Sequence, residues 1–166
     1  MAKVIIGRLM EKEILTNALN SSRSELIAIY GRRRIGKTFL IREFYEKEMV
    51  FTMTGYSVGN RAVQIKNFMT KLNEVTRKFK NEKPIDWIDS FVLLKKYITG
   101  LRKSKNKKVI FIDEFPWIAS NKSGFLPAFE NFWNDFCAGR TDLVVIVCGS
   151  AASYMVKKII KNHKGL

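Results

Sequence analysis

The sequence predicts an α/β domain in which a mainly parallel sheet is covered by helices on both faces. Three observations carry that prediction. Apolar runs of strand length recur at Glu25–Tyr30, Val50–Thr54, Lys108–Ile112 and Leu143–Cys148. Segments with apolar residues at helical spacing separate them. Two of the runs, 109–112 and 143–148, are apolar at every position, as strands buried on both faces require.

The elements follow in order. A helix over about 8–20 places Met10, Ile14 and Ala18 on one face, with Leu15 and Leu19 alongside, and Ser21–Ser24 form a polar turn. After the strand ELIAIY, a helix from about Gly36 to Glu48 sets Leu40 and Phe44 one turn apart. VFTMT is a short second strand. A helix over 61–80 aligns Ala62, Ile65, Met69, Leu72, Thr76 and Phe79. Pro84 marks the start of the next, over about 85–102, which aligns Trp87, Phe91, Leu94, Ile98 and Leu101. The strand at 108–112, a helix at 126–137 aligning Phe129, Trp133 and Phe136, the strand at 143–148 and a helix from about Ala152 complete the chain.

At 166 residues with 46% hydrophobic and 12% aromatic content, the chain suits one folded domain with a sizeable core. Its apolar runs fall far short of the roughly 20 residues of a membrane-spanning helix. The N-terminus interleaves charges with a short apolar stretch and offers no small-residue cleavage pattern, so a cytoplasmic protein is expected. Cys137 and Cys148 have neither metal-type nor redox spacing and are expected as reduced, buried thiols. His163 lies in a basic segment without a paired acid or thiol and receives no catalytic or metal role. The 30 Lys plus Arg against 15 Asp plus Glu give a net charge of +15, which raises the question of a polyanionic partner. The basic runs at 102–108, 157–164 and 77–83 sit at predicted helix ends and loops. Solvated faces explain them better than a phosphate-tracking surface, but nucleic acid stays open as a partner.

Three segments carry chemistry. Gly31, Gly36, Lys37 and Thr38 satisfy G-x-x-x-x-G-K-[ST] between a strand and a helix, the context that gives the pattern meaning. Glycines let such a loop curl its backbone N–H groups toward phosphates, and the helix N-terminus adds positive potential. The ATP-contacting stretch is therefore Gly31, Arg32, Arg33, Arg34, Ile35, Gly36, Lys37, Thr38 and Phe39. Lys37 is expected at the β- and γ-phosphates and Thr38 as a direct Mg²⁺ ligand. In VIFIDEF, at 109–115, a buried strand ends in two carboxylates at the sheet edge that faces the ligand crevice. Asp113 is expected to hold Mg²⁺ through a water, and Glu114 to be the base that orients the attacking water. LVVIVCGS, at 143–150, ends in Ser150, either a sensor of the γ-phosphate or an ordinary helix start. Phe115, Pro116 and Trp117 suit packing of a loop against the sheet better than base stacking.

Together, IIGR at 5–8, YGRRRIGKTFLI at 30–41, FIDEFPWIA at 111–119, FLPAFENFW at 125–133 and VCGSAASYM at 147–155 resemble the archaeal-type P-loop ATPases of the AAA-like and STAND branch, also common in anaerobic bacteria. The resemblance implies a three-layer sandwich of strand order 5-1-4-3-2, with the acidic strand beside the P-loop strand. It also implies that Gly7 and Arg8 border the adenine. The chain stops at Leu166, before a fifth strand and before the helical or winged-helix regions of such proteins, so residues 1–166 are expected to be an ATPase core incomplete at its C-terminus. The family's downstream arginine is expected beyond that point. Such an arginine is worth about 10³–10⁵ in rate, so turnover by this chain alone is expected to be weak.

The leading expectation is Mg-dependent ATP hydrolysis that drives a conformational switch read by a missing domain, a protein partner or a second copy of the chain. The alternative is a module that binds nucleotide or nucleic acid without useful turnover. A GTPase is disfavoured because Asn121-Lys122-Ser123-Gly124 has glycine where the guanine-reading N-K-x-D pattern needs aspartate. A small-molecule kinase lacks an identifiable acceptor pocket and lid arginines.

Overall fold

The computed structural model describes residues 7–102, 104–155 and 157. Helix α1 (Leu9–Asn20) leads into strand β1 (Glu25–Tyr30), followed by α2 (Lys37–Phe44), β2 (Met49–Thr54), α3 (Arg61–Val75), α4 (Trp87–Thr99), β3 (Lys108–Asp113), α5 (Phe115–Ile118), α6 (Phe125–Asn131), β4 (Leu143–Gly149) and α7 (Ala152–Met155). The four strands form one sheet in the order β1-β4-β3-β2, and every pairing is parallel. The last four positions of the expected order, 1-4-3-2, are thus present. One expectation is corrected: β4 separates β1 from the acidic strand β3. From β1 the chain crosses to the far edge of the sheet, and its later strands fill the gap inward.

Burial follows that order. Every residue of β3 and of β4 is buried, whereas β1, at an edge, is only half-buried. Alternate side chains of the central strands feed two separate cores. Val109, Phe111, Val144, Ile146 and Cys148 meet Leu15, Ala18, Leu40, Ile41 and Tyr45 from α1 and α2. Ile110, Ile112, Val145 and Val147 meet the other helices across a face dominated by Phe68, Trp87, Phe91, Phe115, Phe125, Phe129 and Phe132. Each such ring contributes about 1.5–3 kcal/mol on burial, so this aromatic face holds the helical layer that carries α5.

Several boundaries differ from expectation. On α1, Leu15 and Ala18 point inward, while Met10 and Ile14 are exposed. Helix α2 ends at Phe44 rather than near 48, because Tyr45 turns into the core and its hydroxyl donates to the Leu15 carbonyl at 2.8 Å. The helix expected over 61–80 breaks where Thr76 becomes extended, and residues Arg77–Phe79 form a single 3₁₀ turn. The helix expected over 126–137 is α6 followed by a π-helical stretch, Phe132–Cys137. The wider turns bring Phe132 onto Phe91, with ring centroids 4.8 Å apart, and leave Trp133 and Phe136 only half-buried. Helix α7 begins at Ala152 as expected, and its continuation lies outside the described residues.

Candidate nucleotide site

Parallel strands in register bring all four C-terminal ends to one edge: Tyr30 pairs with Gly149, and Thr54 with Asp113. The loop from Gly31 to Gly36 leaves β1 there. Gly36, with φ +80°, caps α2 in a left-handed conformation that few side chains tolerate. Arg34 adopts the same region with φ +64°. The loop curls tightly enough for the Lys37 Nζ to donate to the Gly31 carbonyl at 2.9 Å and the Arg32 carbonyl at 2.7 Å. Arg32, Arg33, Arg34, Ile35 and Phe39 are exposed around this loop, and Gly31, Lys37 and Thr38 are half-buried.

The acidic pair meets the loop directly. The Thr38 hydroxyl donates to Asp113 Oδ2 at 2.7 Å, across the end of β4, and the Glu114 amide donates to Asp113 Oδ1 at 2.9 Å. Asp113 is therefore buried with both oxygens oriented. Glu114 stands in the left-handed region with φ +49°, an arrangement that costs about 1–3 kcal/mol and persists only where neighbours enforce it. The neighbours are two glycines. A Cβ on Gly55 would lie 2.9 Å from the Glu114 carbonyl oxygen and 2.6 Å from Ile118, and one on Gly149 would lie 2.6 Å from the Pro116 ring. The loop is thus clamped between β2 and β4. Glu114 Oε2 is buried and accepts no hydrogen bond from the described residues. Burial, and then the charge of Asp113, raise the Glu114 pKa, while Arg33 and Lys37 pull it down.

Ser150 follows β4 at the same edge, and Arg33 Nε donates to its hydroxyl at 3.3 Å. The Arg33 guanidinium also lies over the Trp117 ring, 5.4 Å from its centroid. Phe115 packs into the aromatic core against Phe125 and Phe129, as expected of a loop held to the sheet.

Beside the loop, a cavity of about 270 Å³ is lined by Arg8, Ile14, Leu15, Ile27, Ile29 and Ile35 among others. Its walls are mainly apolar, which suits a purine ring. Arg8 lies there and donates to the Ile35 carbonyl, whereas Gly7 is exposed and outside the lining. A larger cleft, about 480 Å³, opens at the opposite end of the sheet around Lys108, Arg140 and Asp142. Its charges are spent on one another: Lys108 and Arg140 both hold Asp142, at 2.8 Å. For a divalent cation, the described residues contain no group of three or more His, Cys, Asp or Glu side chains. Thr38 and Asp113 instead offer hard oxygens beside the Gly31–Gly36 loop, the donor type Mg²⁺ prefers.

Residues 6–165 match the family described as an ATPase domain predominantly from Archaea. The chain belongs to that family. An uncharacterized protein of Methanocaldococcus jannaschii is 30% identical over 158 residues, covering 95% of this chain and 32% of the relative. An uncharacterized ATP-binding protein of the same organism is 40% identical over 47 residues, 28% of this chain and 80% of that protein. Among solved structures, a Walker-type ATPase of Pyrococcus abyssi shares the fold over 97% of this chain and 50% of its own, with a TM-score of 0.62 at 18% identity. The ORC2 protein of Aeropyrum pernix, in its ADP form, does so over 92% of this chain and 43% of its own, with a TM-score of 0.50 at 19% identity. The chain of this ATPase-family domain thus spans about a third of its long relative and about half of each of these structures.

Of the residues expected to act, Lys37, Thr38, Asp113, Glu114 and Ser150 lie at one edge with the loop. The Arg33–Trp117 contact and the two glycine clamps are additions of the structure. The basic runs fare differently. Lys107 is buried, donating to the Ala18 carbonyl at 2.8 Å and to that of Arg23, and Lys108 is buried against Asp142, so neither offers a surface charge. Of the run at 157–164, residues 158–164 lie outside the described residues. No helix among the described residues is long and apolar enough to cross a membrane.

Proposed function

We propose that this domain binds ATP at the C-terminal edge of the sheet and hydrolyses it with Mg²⁺. The observation that carries the reading is the Thr38–Asp113 hydrogen bond, which joins the phosphate loop to the acidic strand and leaves Glu114 next to both. Residues 31–39 wrap the phosphates with backbone N–H groups. Lys37, anchored on two carbonyls at the loop's mouth, sets a positive charge against the β- and γ-phosphates. Asp113 and Thr38 would hold Mg²⁺, which when bound would offset the charge of the phosphates. Arg8 and the apolar cavity take the adenine.

Glu114 orients the attacking water and accepts its proton. Three features favour that role: its Oε2 has no hydrogen-bond partner among the described residues, burial raises its proton affinity, and the clamp fixes its backbone. The water attacks the terminal phosphorus opposite the ADP oxygen, and ADP and phosphate leave. Ser150 contacts the terminal phosphate. A shift of the loop at Glu114 passes through Pro116 to Gly149 and through Ile118 to Gly55, and this is how we read the coupling of nucleotide state to a partner or a further domain. We place the reaction in the cytoplasm, where ATP meets reduced thiols such as the two free cysteines.

The test is single-turnover phosphate release from bound Mg-ATP. Glu114→Gln is expected to slow it about 10²–10⁴-fold while ATP stays bound. An unchanged rate removes Glu114 from the mechanism, and binding without any release by the wild-type chain leaves a nucleotide-binding module.

A further inference from the structure

We infer that Arg33 is the residue by which this site tells ATP from ADP, a role that rests on the ATP-binding reading above. Within the three consecutive arginines of the loop, the side-chain hydrogen bond to Ser150 and the ring contact to Trp117 belong to Arg33. Its guanidinium therefore spans three elements that meet at the crevice: the phosphate loop, the loop after β3 and the end of β4. A cation in this place stands among the groups expected at the end of the phosphate chain, and Arg33 is not among the residues that line the apolar cavity.

The bonds that hold Arg33 are weak ones. Its contact with the serine hydroxyl is long, at 3.3 Å, and exposed to water. An exposed cation–ring contact contributes little more. A phosphate oxygen is a far better acceptor for a planar fork with five N–H donors. A terminal phosphate next to Ser150 draws the guanidinium onto itself and off the indole, and the serine hydroxyl turns to the same phosphate. ADP presents no such oxygen, so Arg33 stays on Trp117. Arg33 thus acts twice: it adds affinity for the triphosphate alone, and its departure from Trp117 reports the terminal phosphate to α5.

Equilibrium binding of Mg-ATP and Mg-ADP to the full chain tests this, in a Glu114→Gln background so that ATP persists. Adding Arg33→Ala is expected to weaken ATP by about 10- to 100-fold, the value of one hydrogen bond between charged groups, and to leave ADP within about twofold. Arg33→Lys, which keeps the charge but loses the fork, is expected to recover part of the loss. Trp117 supplies a second readout. Its fluorescence is expected to change with ATP and not with ADP, and the response is expected to vanish in both Arg33→Ala and Trp117→Phe. Equal weakening of ATP and ADP, or no weakening of either, overturns the inference while the ATP-binding reading stands. If the Glu114→Gln parent binds no Mg-ATP, both fall. Arg33 is exposed, so an unchanged thermal unfolding curve is expected for each variant, and a lowered melting temperature with parallel loss of both nucleotides would make Arg33 a structural brace.

Discussion

Gly149→Ala probes the clamp on Glu114 without touching a polar group. The added methyl would lie 2.6 Å from Pro116 Cδ, 2.8 Å from Cγ and 3.3 Å from Met155 Sδ. The proline ring is stiff and stands at the second position of α5, two residues after Glu114. It must recede by roughly 0.4–0.8 Å to bring the closest contact back to 3.0–3.4 Å. The chain on its other side has little room, because Gly55 packs against the Glu114 carbonyl and Ile118. Overpacking of this kind costs about 1–3 kcal/mol, which for a domain of this size lowers the melting temperature by roughly 3–10 °C. A base displaced by most of an ångström loses on the order of 10- to 100-fold in rate. Single-turnover phosphate release at saturating ATP, beside a thermal melt, measures both. Nucleotide affinity is expected to change less than threefold, because the phosphate loop is not displaced. A variant with the wild-type rate and melting temperature would refute the clamp.

Two further outcomes concern groups away from the crevice. The Arg140 hydrogen bond first, and then that of Lys108, hold the Asp142 carboxyl down to about 2, from an ordinary 3.8, so its stabilising effect is complete above about pH 4 and is lost as pH falls toward 2. The melting temperature is expected to drop through that window. Asp142→Asn is expected to flatten the drop and, by leaving the nearly buried Lys108 amine without its carboxylate, to cost about 2–4 kcal/mol at pH 7; an unchanged acid melting profile would show that the pair does not matter. Burial chiefly pushes both the Cys137 and Cys148 thiols up to about 12, so the native protein is expected to resist a thiol-disulfide reagent at pH 8 and to react at two sites once denatured. Rapid labelling of the folded chain would contradict that packing.

The parts of this architecture that were legible in the sequence are those fixed by local chemistry. Strands β3 and β4 read true because unbroken apolar runs have few other uses, and the tight turn from β1 into α2 because Gly36 takes a left-handed backbone there. Choices made by tertiary contacts were not legible. Met10 and Ile14 make as good a stripe on α1 as Leu15 and Ala18, and only the docking of Tyr45 against the Leu15 carbonyl selects the second. The π-helical stretch exists because Phe132 reaches Phe91 from another helix. Lys107 and Lys108 look like surface charge until Asp142 and the last carbonyls of α1 come to meet them. Arg33 and Ser150 are 117 positions apart, and no spacing rule joins them. The same holds for strand adjacency: nothing in the local sequence says that β4 enters between the loop-bearing and acidic strands.

The most direct measurement is a calorimetric titration of Mg-ATP into the wild-type chain and into Lys37→Ala. One molecule of ATP per chain is expected for the wild type. Loss of the lysine charge from the phosphates is expected to weaken binding by about 10- to 100-fold, with the melting curve unchanged because the bonds of the Lys37 amine to described residues are to loop carbonyls. Equal affinity in the two proteins, or no binding to either, would contradict a nucleotide site built on this loop.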